Sequence, residues 1–382
     1  MKLQASPIRL SICIATYNRG DFIVETLDSI VPQLTPNVEL IVVDGASPDN
    51  TQQVMIDYAA CHPQIRYYRE SENSGVDKDY DKAVGYAQGE YCWLMTDDDL
   101  LHPHAIQRVL EVLMTSPDLV VVNAEVRNRN LSNVLRSRHC LLEYDKYYSA
   151  EEWSMFFREV GDYLSFIGGV VMRRSVWLAR DRASYYGTLF IHFGVIFQNP
   201  MPGGAQMISE PLIIIRYGNA MWTPRGFEIW MFKWPRLIWS FTNITAEDKQ
   251  TICPVEPWRD SLRIVYQRAK GAYTISEFRA FLAEQLYGRS RLVAYLVAVL
   301  PGWLANIACV AGLLWRQVMP AKWYTMQQSR AESMVWYELL RSRYATWLSR
   351  GLVKVFRPKE YAMWAHSLVP RSKTFLHQEN AE

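Results

Sequence analysis

Cysteine is sparse and scattered in this 382-residue chain: Cys13, Cys61, Cys92, Cys140, Cys253 and Cys309 lie far apart, and no Cys-x-x-Cys occurs. That spacing argues against a disulfide framework and a cysteine-based zinc site, and suits a reducing compartment. Net charge is nearly absent as well. Lys and Arg number 41 against 39 Asp and Glu, leaving +2, so no global field points to nucleic acid as a partner. No Gly-x-Gly-x-x-Gly follows the first apolar run, which disfavours a dinucleotide-dependent oxidoreductase. No internal repeat is evident. The short polar stretch 1–7 leaves no room for a signal peptide, and the catalytic part is expected to stay in the cytosol.

What the chain does contain is an alternation of periods. Apolar, β-branched runs at 9–15, 39–43, 65–68, 91–95 and 119–123 are interleaved with helical spacing at 20–33, 49–61 and 77–88. This order predicts a mostly parallel, doubly wound α/β sheet with strands buried on both faces. His102-Pro103 is expected to open the next helix, with Pro103 near its first turn. The polar stretch 126–148 reads as a mobile loop bordering an acceptor side, and 166–172 and 210–216 read as further strands.

In such a sheet, ligands bind outside the carboxyl ends of the strands. Thr16-Tyr17-Asn18, Asp44-Gly45-Ala46-Ser47 and Asp97-Asp98-Asp99 fall there, after the first, second and fourth runs. Three carboxylates at the end of a buried strand repel one another, so a divalent cation or a set of polar ligand groups is expected beside them. An acidic turn capping the helix that follows is the competing reading.

The stretch 292–315 differs in kind, with no charge and only Asn306 as a strongly polar group. As one helix it would extend roughly 36 Å, enough for a bilayer core, but Pro301-Gly302 interrupts it. Between Arg316 and Lys373 follow eleven Lys or Arg against three Glu, with Trp323, Tyr324, Trp336, Tyr337 and Trp347 among them and Trp315 just before. Basic and aromatic residues together suit the headgroup level of an anionic surface. A hairpin or interfacial helix is preferred to a single crossing, which would put the basic tail on the far side, and a buried soluble helix pair is the competing reading. The expected organisation is a catalytic domain at 1–220 (a donor half at about 1–125 and an acceptor half at about 126–220), a helical connector at 221–290, an apolar membrane-associated helix or hairpin at 291–317, and a basic tail at 318–382.

The runs Ser11-Ile12-Cys13-Ile14-Ala15-Thr16-Tyr17-Asn18-Arg19, Val42-Val43-Asp44-Gly45-Ala46-Ser47, Asn73-Ser74-Gly75, Gly89-Glu90-Tyr91 and Asp97-Asp98-Asp99 resemble the family 2 glycosyltransferases of GT-A fold. Within that family the chain is similar to the abequosyltransferase-like O-antigen branch, through Asn73-Ser74-Gly75-Val76-Asp77, the run 91–95 and Ile167-Gly168-Gly169-Val170-Val171-Met172-Arg173-Arg174. The resemblance implies a nucleotide-sugar donor and a divalent metal, Mn²⁺ or Mg²⁺, on a DXD motif. It makes Asp99 the metal ligand and Asp97 a ribose or shared metal contact, with Asp98 facing the donor sugar. Thr16, Tyr17 and Asn18 would sit over the base, Asp44 on its edge with Ser47 nearby, and Asn73 and Gly75 beneath ribose and phosphates.

Two departures stand out. Asp79-Tyr80-Asp81 replaces the Ala-Arg-Asn of many members, and Lys78 is the cation left to substitute. The Glu-Asp pair that supplies the base in relatives is absent, since that location reads Leu189-Phe190-Ile191-His192-Phe193. His192 is the first candidate for catalytic base and Asp162 the second, a core histidine and a surface loop residue being the respective bland readings. Trp222, Trp230, Trp234 and Trp239 read as packing.

The expectation is a membrane-associated glycosyltransferase at the cytoplasmic face of the inner membrane. It would move a sugar to a hydroxyl of a polyprenyl-diphosphate-linked glycan acceptor in bacterial surface polysaccharide synthesis. A non-catalytic nucleotide-sugar-binding or scaffold subunit and a metal-dependent nucleotidyltransferase are the rivals.

Overall fold

The computed structural model describes residues 7–316, with side chains to Cys309. The tail expected over 318–382 lies outside the described residues. Contacts divide the chain into two units, the first made of Met1–Arg129, Arg136–Tyr217 and Ile229–Pro257, the second of Asn130–Leu135, Gly218–Glu228 and Trp258–Glu382.

Ten strands occur among the described residues: β1 Leu10–Thr16, β2 Val38–Asp44, β3 Ile65–Arg69, β4 Tyr91–Met95, β5 Leu100–Leu101, β6 Leu119–Arg127, β7 Val134–Arg136, β8 Lys146–Tyr148, β9 Val170–Arg173 and β10 Ala205–Arg216. The main sheet runs β3-β2-β1-β4-β9-β6-β10-β5. Pairings β1/β2, β1/β4 and β2/β3 are parallel, as the alternation predicts. β9 then enters antiparallel between β4 and β6, so the sheet is mixed. β1, β2 and β4 are buried along their whole length, which is why they read as continuous apolar runs.

Helices α1 Gly20–Ile30, α2 Thr51–Cys61 and α3 Val76–Tyr86 fall where helical spacing was found. Other expectations shift. Helix α4 begins at Ala105 behind His104, whose φ is +65°, so Pro103 stands before the helix rather than in its first turn. The strand expected at 166–172 starts only at Val170, because 163–165 and 167–169 form tight helical turns. The stretch 126–148 holds two short strands, and β8 pairs with β10.

The connector expected at 221–290 is divided. Ile229–Pro257 belongs to the sheet unit, where Trp234 packs 4.7 Å from both Phe190 and Phe193 and the Trp239 indole donates to the Cys253 carbonyl at 3.0 Å. Full burial of one such ring stabilises by about 1.5–3 kcal/mol, in keeping with the packing role expected of Trp234 and Trp239, whereas Trp222 is 44% exposed.

In the second unit, the 292–315 stretch forms two helices, Gly288–Val299 and Gly302–Arg316. The first meets Gly302–Cys309 at 103°, and among the described residues no single helix is long and apolar enough to cross a membrane.

Candidate functional site

The carboxyl ends of β1, β2, β4 and β10 carry the polar groups. After β1, Tyr17 is 36% exposed and Asn18 adopts φ +57°. The Asn18 amide donates to Ser47 Oγ at 2.9 Å, which ties the loops after β1 and β2 together. Asp44 is wholly buried. It accepts from the Ser47 amide at 2.8 Å and the Tyr67 hydroxyl at 2.7 Å, and Arg69 Nε lies 3.8 Å away. Burial, and then the Asp44 charge, push the Tyr67 phenol far up. Asp44 is thus engaged from inside the protein and shapes the loop. The Tyr17 ring is left exposed beside this loop.

Asn73 Oδ1 accepts from the Gly75 amide at 2.9 Å, and Gly75 has φ +91° with open space where a Cβ would stand. That positive φ is what glycine supplies here. The unusual Asp79-Tyr80-Asp81 also finds a reason. Asp79 accepts from Ser74 Oγ at 2.7 Å, with Lys82 3.8 Å away. The Tyr80 hydroxyl donates to the Met95 carbonyl at 3.0 Å, at the end of β4. Asp81 accepts from the Trp177 indole at 2.9 Å and pairs with Arg182 at 2.8 Å. One turn earlier, Asp77 accepts the amides of Leu189 and Ile191 at 2.9 and 3.1 Å. Asp77 and Asp81 therefore hold the 177–191 segment, while Asp79 ties the loop before the helix. Lys78 is exposed, with its ammonium 5.8 Å from the Tyr186 ring centroid.

Beyond β4, Asp97 and Asp98 are partly exposed and both face Arg19, at 3.4 Å from Nε and 3.3 Å from Nη2. Asp99 is 3% exposed; it accepts from Thr96 Oγ1 at 2.5 Å and the Arg216 amide at 2.7 Å. Burial first, and then the Asp98 charge, raise Asp97 to about 7, with Arg19 and the Thr16 hydroxyl pulling the other way. The same two causes raise Asp99 well above the carboxylate range.

Arg216 adds a clamp. Its Nε donates to the Asp98 carbonyl at 3.0 Å, Nη1 to the Arg129 carbonyl at 2.8 Å and Nη2 to Glu25 at 2.7 Å. The guanidinium carbons of Arg19, Arg129 and Arg216 lie 5.4–6.0 Å from the centroid of one ring, Phe22. Sequence reasoning gave Arg19 and Arg216 no role. Both sit at strand ends, so the strand-end rule applied to cations as well as acids would have found them.

Desolvated carboxyls beside a like charge are costly until a cation joins them, and hard oxygen donors suit Mg²⁺ or Mn²⁺. Among the described residues no three His, Cys, Asp or Glu side chains form a ready cage. Mg²⁺ commonly takes one or two carboxylates and completes its shell with substrate phosphates and water, and this donor set fits that mode. The bonds from Thr96 and Arg216 orient Asp99 without exhausting its acceptor capacity.

The two candidates for a base separate. His192 is 1% exposed, its Nε2 is 2.9 Å from the Leu164 carbonyl, and burial lowers it to about 4. Set in the core, its ring lacks the access to an acceptor hydroxyl that a base requires. Asp162 is exposed and immediately precedes Tyr163, whose phenol is pushed far up by burial first and then by Cys140 and Asp99.

Residues 11–181 match the family model described as Glycosyl transferase family 2. The abequosyltransferase RfbV of Salmonella typhimurium is 29% identical over 232 residues, covering 57% of this chain and 69% of its own. The putative teichuronic acid biosynthesis glycosyltransferase TuaG of Bacillus subtilis is 31% identical over 105 residues, 28% of this chain and less than half (42%) of its own. A structure of S. aureus TarS 1-349 in complex with UDP-GlcNAc aligns over 84% of this chain and 89% of that one, with TM-score 0.48 and 15% identity, too loosely to carry a substrate across. Over residues 11–181, just under half of the chain, this α/β sheet with its strand-end acids is similar to the family 2 glycosyltransferases, and both curated relatives are named as sugar transferases.

Proposed function

We propose that this protein moves a sugar from a nucleoside-diphosphate donor to a hydroxyl of a glycan acceptor carried on a polyprenyl diphosphate, in bacterial surface polysaccharide synthesis of the O-antigen kind. The observation that carries the donor part is the meeting of Asp97, Asp98 and Asp99 with Arg19 and the Arg216 clamp at the strand ends. Tyr17, Asn18 and the loop held by Asp44 and Ser47 receive the base, with Asn73 and Gly75 shaping the floor beneath ribose and phosphates. Asp97 and Asp99 would hold a divalent cation, which when bound offsets charge developing on the leaving diphosphate. Arg19 orients Asp97 and Asp98, and Asp98 faces the donor sugar. Asp162 takes the acceptor proton, being the candidate carboxylate open to solvent.

The acceptor and membrane parts rest on likeness to RfbV and on the apolar stretch 292–315 with its basic sequel; the working location is the cytoplasmic face of the inner membrane. A thermal-shift series with UDP, CDP, GDP and dTDP, each with and without Mn²⁺, tests the donor part. One nucleotide at about 100 times its dissociation constant stabilises by roughly 2.7 kcal/mol. No shift with any of the four, metal present, rejects it.

A further inference from the structure

The helix Gly288–Val299 is packed inside out. It buries Ala294 and Ala298, at 1% and 3% exposure, while Leu292, Tyr295, Leu296 and Val299 stand 43–57% exposed. Those four share one helical face. A helix meant for water hides its large apolar side chains and shows its small or polar ones. Beyond the break, Leu304 is exposed too, at 39%.

The break itself is fastened. Arg268 Nε donates to the Leu300 carbonyl at 2.8 Å, the Tyr273 hydroxyl to the Ala294 carbonyl at 3.0 Å, and Asn306 Nδ2 to the Ala269 carbonyl at 3.2 Å. The helix Ser261–Ala269 and the turn after it therefore brace both arms. An arm of 12 residues reaches about 18 Å, well short of a hydrocarbon core of about 30 Å.

Charge is divided along the chain despite its small total. Residues 1–257 hold 23 Lys or Arg against 31 Asp or Glu, whereas 258–373 hold 18 against six. Arg289 and Arg291 are exposed in the first turn of the inverted helix, where positive charge opposes the helix dipole. A negatively charged surface outside the protein offsets that cost.

We propose that Leu292, Tyr295, Leu296 and Val299, flanked by Arg289 and Arg291, form a face that lies in the plane of an anionic lipid surface, with the elbow seated at headgroup level and not crossing the bilayer. This deepens the membrane part of the proposed function and rests on it. A second copy of this chain fits the face less well, since it would bring two basic surfaces together.

The test is co-sedimentation of the full chain with phosphatidylcholine vesicles, with and without about 30% phosphatidylglycerol. The native chain should bind the anionic vesicles and weaken in roughly 0.5 M salt. The double variant Leu292→Glu, Leu296→Glu should partition at least about tenfold less, with melting midpoint and nucleotide-dependent shift unchanged. Arg289→Ser with Arg291→Ser should reduce binding to anionic vesicles alone. Undiminished binding by the glutamate variant overturns the proposal, as does a native dimer that this variant dissociates while vesicle binding persists. Failure to bind vesicles beside an intact nucleotide shift rejects the lipid face and leaves the transferase reading standing.

Discussion

Arg216 joins the Asp98 carbonyl, the Asp99 carboxylate through its amide, the Arg129 carbonyl and Glu25, while 7% exposed. Its bonds run to the acidic turn, so on the proposed reading its effect on donor binding is exerted through those acids. Replacing it by Ala should weaken Mn²⁺ binding about 10–100-fold, the range for groups that orient metal ligands, and Lys should restore only part because it lacks the planar fork. Manganese titration by electron paramagnetic resonance reads this directly; unchanged affinity in a folded Arg216→Ala chain rejects the positioning role. For the acids themselves, Asp97→Asn and Asp99→Asn should each abolish the metal-dependent nucleotide shift and lower turnover by on the order of 10²–10³. Donor hydrolysis undiminished in either variant removes that residue from the metal site. Asp162→Asn should lower turnover and leave the nucleotide shift intact; His192→Gln, by contrast, should act through core stability, visible as a lower melting midpoint.

At the scale of elements, two junctions hold the site's strands in place. Gly89 precedes β4, and a Cβ there would stand 2.7 Å from the Ser11 amide nitrogen and 2.9 Å from the Leu10 carbonyl carbon. Its own amide donates to Ser11 Oγ at 2.8 Å. Gly89→Ala must push β1 and β4 apart and should cost about 1–3 kcal/mol, read as a lower urea midpoint. The start of α1 depends on Asp49, which accepts from the Gly20 amide at 2.9 Å and the Thr51 hydroxyl at 2.6 Å. Although burial alone would raise Asp49, the bonds from Thr51 and Gly20 hold it below its ordinary value. A carboxylate depressed in the folded state stabilises above its unfolded pKa, and that contribution is lost as pH falls through the folded value. Asp49→Asn should therefore cost about 0.5–2 kcal/mol near pH 7, with the difference from the native chain shrinking below about pH 4. A difference that stays constant from neutral to acid pH would show that the charge of Asp49 does not matter.

For the whole molecule, the unit that holds the sheet ends at Pro257 and not near residue 220. A chain cut after Tyr217 would lose Trp234 and Phe241, which pack on Phe193 at 4.7 and 5.9 Å, and should aggregate; soluble, cooperative melting of that fragment would contradict the packing. The parallel half of the sheet and the acids after β4 were legible because buried strands write continuous apolar runs and acids at their ends have few other reasons to be there. The antiparallel insertion of β9 was not, since Val170–Arg173 is too short to show a direction in its pattern. Nor was the burial of His192, because a lone histidine in an apolar run reads the same facing a core or a cleft. The order of the strands has one more consequence. Asp99 and the Arg216 amide are 117 residues apart along the chain, and β9 and β6 stand between β4 and β10 in the sheet. During synthesis the loops after β1 and β2 can therefore meet, and Arg19 can face Asp97 and Asp98, before β10 has left the ribosome, whereas Asp99 must wait for the Arg216 amide. On the proposed reading, a growing chain would thus hold the loop that receives a base before the proposed metal ligand Asp99 is oriented, so the order of translation itself would delay donor capture.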